Sequence, residues 1–156
     1  MILTTHALVG AALGKNIRNP WILIPVSIII HFILDTFRHG EYIETQDKKM
    51  TFANTWWKVG LDISSAIIFL SLFISFGKLD AVQIRNVLIG SFFSAFPDLL
   101  TVIFWKFKFK LLVPVYHLHS RIHKYAPGAG EREWNLRNAW NDIFFSLAAI
   151  VIFIFF

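Results

Sequence analysis

The chain contains no cysteine, so neither disulfides nor thiolate metal ligands can form. Its opening stretch, Met1 to Leu13, holds no Lys or Arg, and the first basic residue is Lys15. A cleaved signal peptide carries its positive charge ahead of its apolar stretch, so cleavage is not expected. No Gly-rich phosphate loop, no dinucleotide fingerprint and no nucleophilic Ser with a paired His and Asp is legible. Internal repeats and low-complexity segments are absent as well. What remains is apolar: 56% of the 156 residues are hydrophobic, far more than a soluble domain of this length needs for its core.

That apolar content is concentrated in four runs, Trp21 to Phe37, Val59 to Phe76, Val87 to Trp105 and Ala139 to Phe156, separated by short charged connections. A helix of roughly 17 to 25 residues crosses a hydrocarbon layer of about 30 Å, and each run is close to that length. A fifth candidate, Met1 to Gly14, is short and rich in Ala and Gly, and crosses only where the bilayer thins or protein packs around it. The expectation is an all-α, polytopic transmembrane helix bundle of four to five spans, with residues 1–156 forming a single membrane-embedded domain. Pro127, Gly128 and Gly130 read as a loop before the last helix.

With five spans, Lys15, Arg18, Lys78 and Arg85 fall on one side of the membrane. The other eleven basic residues fall on the opposite side: Arg38, Lys48, Lys49, Lys58, Lys106, Lys108, Lys110, Arg121, Lys124, Arg132 and Arg137. Positive charge is retained in the cytoplasm, which makes the second side, and the N-terminus with it, cytoplasmic in a cell (inner) membrane. The alternation of Lys106, Phe107, Lys108, Phe109 and Lys110 suits a short interfacial segment against anionic headgroups, and Trp56 and Trp57 suit the aromatic belt there. The expected partner is the lipid bilayer; no nucleic-acid partner is expected.

Ionisable groups in hydrocarbon are expensive and are kept for function or pairing. On this topology they do not scatter. His6, His31, Asp35, Asp62, Asp98, Asn141 and Asp142 all fall in one leaflet. Helical spacing also places Ser27, His31, Asp35 and His39 on one stripe. A second stripe holds Asn86 or Val87, Gly90, Ser91, Ser94, Pro97, Asp98 and Thr101, and a third holds His6, Gly10 and Gly14. The small residues permit close backbone approach, which brings the polar stripes into one bundle interior.

Four of the six aspartates, Asp35, Asp62, Asp98 and Asp142, lie in or at the ends of spans that carry no nearby Lys or Arg. Either protonation or a divalent cation can neutralise them. The histidines favour the cation, because carboxylate oxygen with neutral imidazole nitrogen is a common ligand set for Zn, Mn or Fe. A further group, His117, His119 and His123, follows the fourth span, and its HxxxH pair shares a face if the stretch is helical. Simpler roles stand beside these: His6 in helix packing, His31 with Asp35 as interhelical polar glue, Asp98 on backbone opened by Pro97, and Asp62 and Asp142 at a helix N-terminus.

Thr5, His6, Ala7 and Gly10, the His31, Leu34, Asp35 segment running to Gly40, and Phe96, Pro97, Asp98 followed by His119 and His123 together give the chain a resemblance over most of its length. It resembles the predicted membrane-bound metal-dependent hydrolases, short multi-pass proteins. Leu100 stands where that family often has a second acidic residue, and its His-Arg then Thr-His-Ser segment is only approximated at His119 to His123. The resemblance implies metal-assisted hydrolysis of a lipid or lipid-linked phosphoester at the cytoplasmic face. His6, His31, Asp35, Asp98, His119 and His123 would hold one or two divalent ions, Zn first with Mn or Fe as alternatives. Asp98 or His39 would take a proton, and Arg38 or Arg121 would steady negative charge. Two other classes stand against it: a non-catalytic membrane scaffold, and a metal or proton transporter, which the apolar opposite leaflet disfavours.

Overall fold

The computed structural model describes residues 1–40, 55–125 and 135–156; the expected Pro127 to Gly130 loop lies outside them. The described residues form six α-helices: α1 (Leu3–Asn16), α2 (Pro20–Leu34), α3 (Trp57–Phe76), α4 (Ala81–Phe107), α5 (Val113–Tyr125) and α6 (Leu136–Phe155). A 3-10 turn at Lys110–Leu112 joins α4 to α5. No strand occurs among the described residues.

Three helices, α3, α4 and α6, are long and apolar enough to cross a membrane. At 1.5 Å per residue α1 and α2 reach only about 21 and 22 Å, short of a full hydrocarbon layer. Their shortness has different causes. α2 opens at Asn19, whose side chain accepts from the Trp21 N–H at 3.0 Å, with Pro20 at the first helical position, and it ends at Leu34 ahead of a turn through Asp35 to Phe37. α1 is not a lipid-facing helix at all. Nine of its 14 residues are buried, and α2, α3, α4 and α6 all pack on it.

Glycine determines how α1 meets α4. A Cβ at Gly10 would lie 2.2 Å from the Gly90 carbonyl oxygen, and one at Gly90 would lie 2.1 Å from that of Gly10. One turn further on, a Cβ at Gly14 would lie 2.2 Å from the Asn86 oxygen. The two backbones therefore touch along one edge, as small residues allow in helix pairs that gain little from the hydrophobic effect. Ser91 adds a bond across the same edge, its hydroxyl donating to the Ala7 carbonyl at 2.9 Å.

The ends of α1 are satisfied by other helices. Ile2 offers no side-chain cap. Instead Asp62 of α3 accepts from the Leu3 and Thr4 N–H groups at 2.6 and 3.0 Å, and Asp142 of α6 accepts from the Ile2 N–H at 3.0 Å. At the other end, Asn86 of α4 donates to the Ile17 and Arg18 carbonyls at 2.8 and 2.9 Å. Backbone groups left over at helix ends must find partners, and a buried end has no water to offer. Below the polar end of the bundle the core is apolar: Leu8, Ala11, Ala12, Phe73, Val87, Ala149 and Phe153, with Phe73 and Phe153 stacked at 3.8 Å. The outer faces of α3 and α6 expose Ile67, Ile68, Phe144 and Ile152, surface that suits lipid and not water.

α4 starts with a full capping box. Gln83 N–H donates to Asp80 Oδ1 at 2.8 Å, and Asp80 N–H donates to Gln83 Oε1 at 3.1 Å. The helix ends where Lys108 takes a left-handed conformation, φ 54°. The chain then reverses, and α5 runs back along the end of α4. That reversal carries His119 and His123 toward α2.

Candidate metal centre

Asp35 lies at the centre of the polar cluster, fully buried, just past the last turn of α2. Its two oxygens have separate surroundings. Oδ1 lies 3.2 Å from His6 Nε2 and 2.5 Å from the Met1 amino group. Oδ2 lies 3.1 Å from His31 Nε2, 3.1 Å from His119 Nε2 and 3.2 Å from His123 Nε2. Asp98 Oδ1 is 3.4 Å from His119 Nε2, and the two ring nitrogens His119 Nε2 and His123 Nε2 are 2.8 Å apart.

The opposite edge of each ring shows which nitrogens carry protons. His31 Nδ1 is 2.8 Å from the Ser94 carbonyl oxygen, which can only accept, so Nδ1 is the donor. The Thr101 hydroxyl donates to the Pro97 carbonyl at 3.0 Å and so accepts from His119 Nδ1, 2.7 Å away. His39 Nδ1 likewise donates to the Phe37 carbonyl at 2.7 Å. A neutral imidazole whose Nδ1 carries the proton has a lone pair on Nε2. In the neutral form of these rings the Nε2 lone pairs of His31 and His119 face the Asp35 carboxylate, a setting that could hold a cation.

The spacing suits an ion. Ligand atoms about 2.0–2.2 Å from a tetrahedral metal lie about 3.3–3.6 Å apart, close to the 3.1–3.4 Å found around Asp35 Oδ2 and Asp98. His31, Asp35, Asp98 and His119 can each turn one ligand atom to within 4.8 Å of all the others, and so can Asp35, His39 and His123. Two adjoining groups thus share Asp35. Two buried histidines add unsatisfied atoms: His31 Nε2 and both ring nitrogens of His6 make no hydrogen bond to any described residue.

Exposure rises outward through the cluster. The side chains of His6, His31 and Asp35 are sealed, that of His123 is 19% exposed and that of Asp98 is 25% exposed. Access is therefore from the Asp98 and His123 side. Burial drives the His39 imidazole down to a pKa of about 2, so His39 is neutral across the physiological range, a form suited to ligation and not to accepting a proton.

The other expected site residues fall away from this centre. Arg121 is exposed and two positions from both His119 and His123, which is about 200° around α5, so it points away from them. His117 is exposed too. Arg38 is directed at α6, its Nε donating to Asn138 Oδ1 at 2.6 Å while its carbonyl accepts from Asn141 Nδ2. Asp62 and Asp142 are engaged at the N-terminus of α1. Two residues that hold the rings in place, Thr101 and Ser94, stood in the sequence stripe of α4 only as small polar packing residues. Their hydrogen bonds to imidazole depend on how α2 and α5 cross α4.

No known protein family, curated protein or solved structure matches the chain.

Proposed function

We propose that the chain is a membrane-embedded, metal-dependent hydrolase acting on a lipid or lipid-linked phosphoester at the cytoplasmic face. The observation that carries this reading is the convergence of Nε2 atoms on Asp35, with two of those rings fixed from behind as Nδ1 donors. His31, Asp35, Asp98 and His119 would hold one divalent ion, Zn with Mn or Fe as alternatives. His39 and His123 would extend the site to a second ion through the shared Asp35, and His6 would close it from α1. Such an ion supplies Lewis acidity toward a phosphoryl or acyl oxygen and toward water.

The chain's own groups do the rest. Ser94 and Thr101 keep each Nε2 lone pair aimed inward, as partners behind metal-binding histidines do. Asp98, at the accessible edge, is the carboxylate placed to take a proton from an entering water. Arg38, fixed against α6 one residue from His39, is the nearest guanidinium in sequence to the cluster, and Arg121 is exposed on α5. The apolar core beyond the cluster supports a hydrolase over a transporter, since a conducting path needs polar groups along its length. The scaffold reading draws on one specific observation, the interhelical bonds of Asp62 and Asp142, which are polar glue of the kind it requires.

The test is the metal content of detergent-purified protein by elemental mass spectrometry, beside a variant with His31→Ala and His119→Ala. Near-stoichiometric Zn, Mn or Fe in the wild type, lost in a variant that keeps its helical circular dichroism, is the expected result. A wild type that binds none of them after reconstitution would overturn the hydrolase reading in favour of the scaffold.

A further inference from the structure

α3 and α6 both pack on α1, yet among the described residues they meet each other chiefly where Phe73 stacks on Phe153. Between that stack and the polar end of the bundle they leave a cleft of about 570 Å³ floored by α1. Leu8, Phe69 and Ile150 line its apolar stretch, and Thr4, Asp142 and Gly40 mark its other end. The cleft is continuous with the lipid-facing surface: Ile143 and Leu147, which also line it, are 41% and 57% exposed on the outer side of α6. Its polar end adjoins the cluster, since Asp142 binds the Ile2 N–H, the neighbouring Met1 amine lies on Asp35, and Gly40 follows His39 directly.

The volume lies in the range of small-molecule sites, about 300–1,000 Å³, and the lining is almost wholly apolar. From Asp142 to Ile150 the α6 wall runs eight residues, about 12 Å, which suits a length of extended hydrocarbon entering from the side.

We propose that this cleft seats one hydrocarbon chain of a lipid drawn from the surrounding bilayer, with the lipid's head group left at the Asp142–Gly40 end. The chemistry of the head rests on the metal-dependent reading above, whereas the seating of the chain does not. A lipid bound this way is selected by its tail.

The experiment is native mass spectrometry of the full chain in detergent, titrated with dioleoylphosphatidic acid, with metal content measured on the same samples. The wild type retains one lipid per chain. Ile143→Trp, which fills the cleft from α6, lowers that occupancy at least ten-fold, while Phe144→Trp, on the lipid-facing surface and outside the cleft lining, leaves it unchanged. Should Ile143→Trp fail to fold, Ala139→Leu fills the same cleft with a smaller intrusion and carries the same expectation. The His31→Ala, His119→Ala variant keeps its lipid, so a chain that binds lipid without metal retains the cleft proposal and loses only the hydrolase reading. Equal lipid occupancy in the wild type and the cleft variant, or no retained lipid in the wild type, overturns the proposal.

Discussion

Thr101 donates to Pro97 and accepts from His119, which leaves His119 Nε2 with its lone pair turned to Asp35. Thr101→Val keeps the shape and removes the acceptor, so the ring is free to take the other tautomer. Metal affinity is expected to fall about 10- to 100-fold with the fold intact, read by competition with a chelator of known affinity. An unchanged affinity would mean that the ring is oriented by packing alone. Asp62 gives the converse case, a buried carboxylate with a structural role. Asp62→Ala removes the acceptor of the Leu3 and Thr4 N–H groups, and a buried N–H such as that of Thr4 left without one costs about 1–3 kcal/mol. The variant is expected to lose about 2–5 kcal/mol in denaturant unfolding while the folded fraction retains its metal. Loss of metal from folded Asp62→Ala protein would make Asp62 a ligand instead.

Among the elements, α1 is the one on which the others depend, and its requirement is the absence of side chains. Gly10→Ala would place a Cβ 2.2 Å from a backbone oxygen of α4, so the two helices must separate. The cost is expected at or above the upper end of the usual 1–3 kcal/mol for overpacking, because backbone and not a flexible side chain has to move. Gly60→Ala in α3 is the control: nothing lies within 4 Å of its added methyl, and helix propensity predicts a gain of up to about 1 kcal/mol. Thermal unfolding of the two variants in one detergent compares them directly, and equal Tm values would contradict the close α1–α4 crossing.

The stripes were legible at this scale. The small and polar residues that recur along α4, from Asn86 and Gly90 to Ser94 and Thr101, are the buried ones, because helical spacing alone decides which side chains share a face. For α1 the sequence left two outcomes open, a span through a thinned bilayer and a helix with protein packed around it. A helix wrapped by others and a short lipid-facing span have the same sparse, Ala- and Gly-rich composition, and only the crossing with α4 separates them. Nor could spacing reveal that Asp62 and Asp142 cap a helix other than their own, or that α5 doubles back to bring His119 onto Asp35, since those partners are 58 to 140 residues apart.

The whole molecule is polarised. Every residue of the His/Asp cluster and both carboxylates at the start of α1 occupy one end of the bundle, and the exposed Arg18–Asp80 pair at 3.2 Å marks the opposite end. On the five-span expectation the basic residues divide four against eleven, which predicts a cytoplasmic cluster end by the retention of positive charge. Because the chain has no cysteine, this orientation can be tested with single introduced thiols and no background labelling. Lys78→Cys precedes α4 and Lys110→Cys follows it, with 27 helical residues, about 40 Å, between the two ends. In intact cells a membrane-impermeant maleimide is expected to label Lys78→Cys alone, and Lys110→Cys only after the cells are opened. The reverse pattern would turn the cluster outward and remove the cytoplasmic assignment of the substrate. Labelling of both from outside would mean that α4 does not cross, and the lipid-facing reading of the bundle would fall with it.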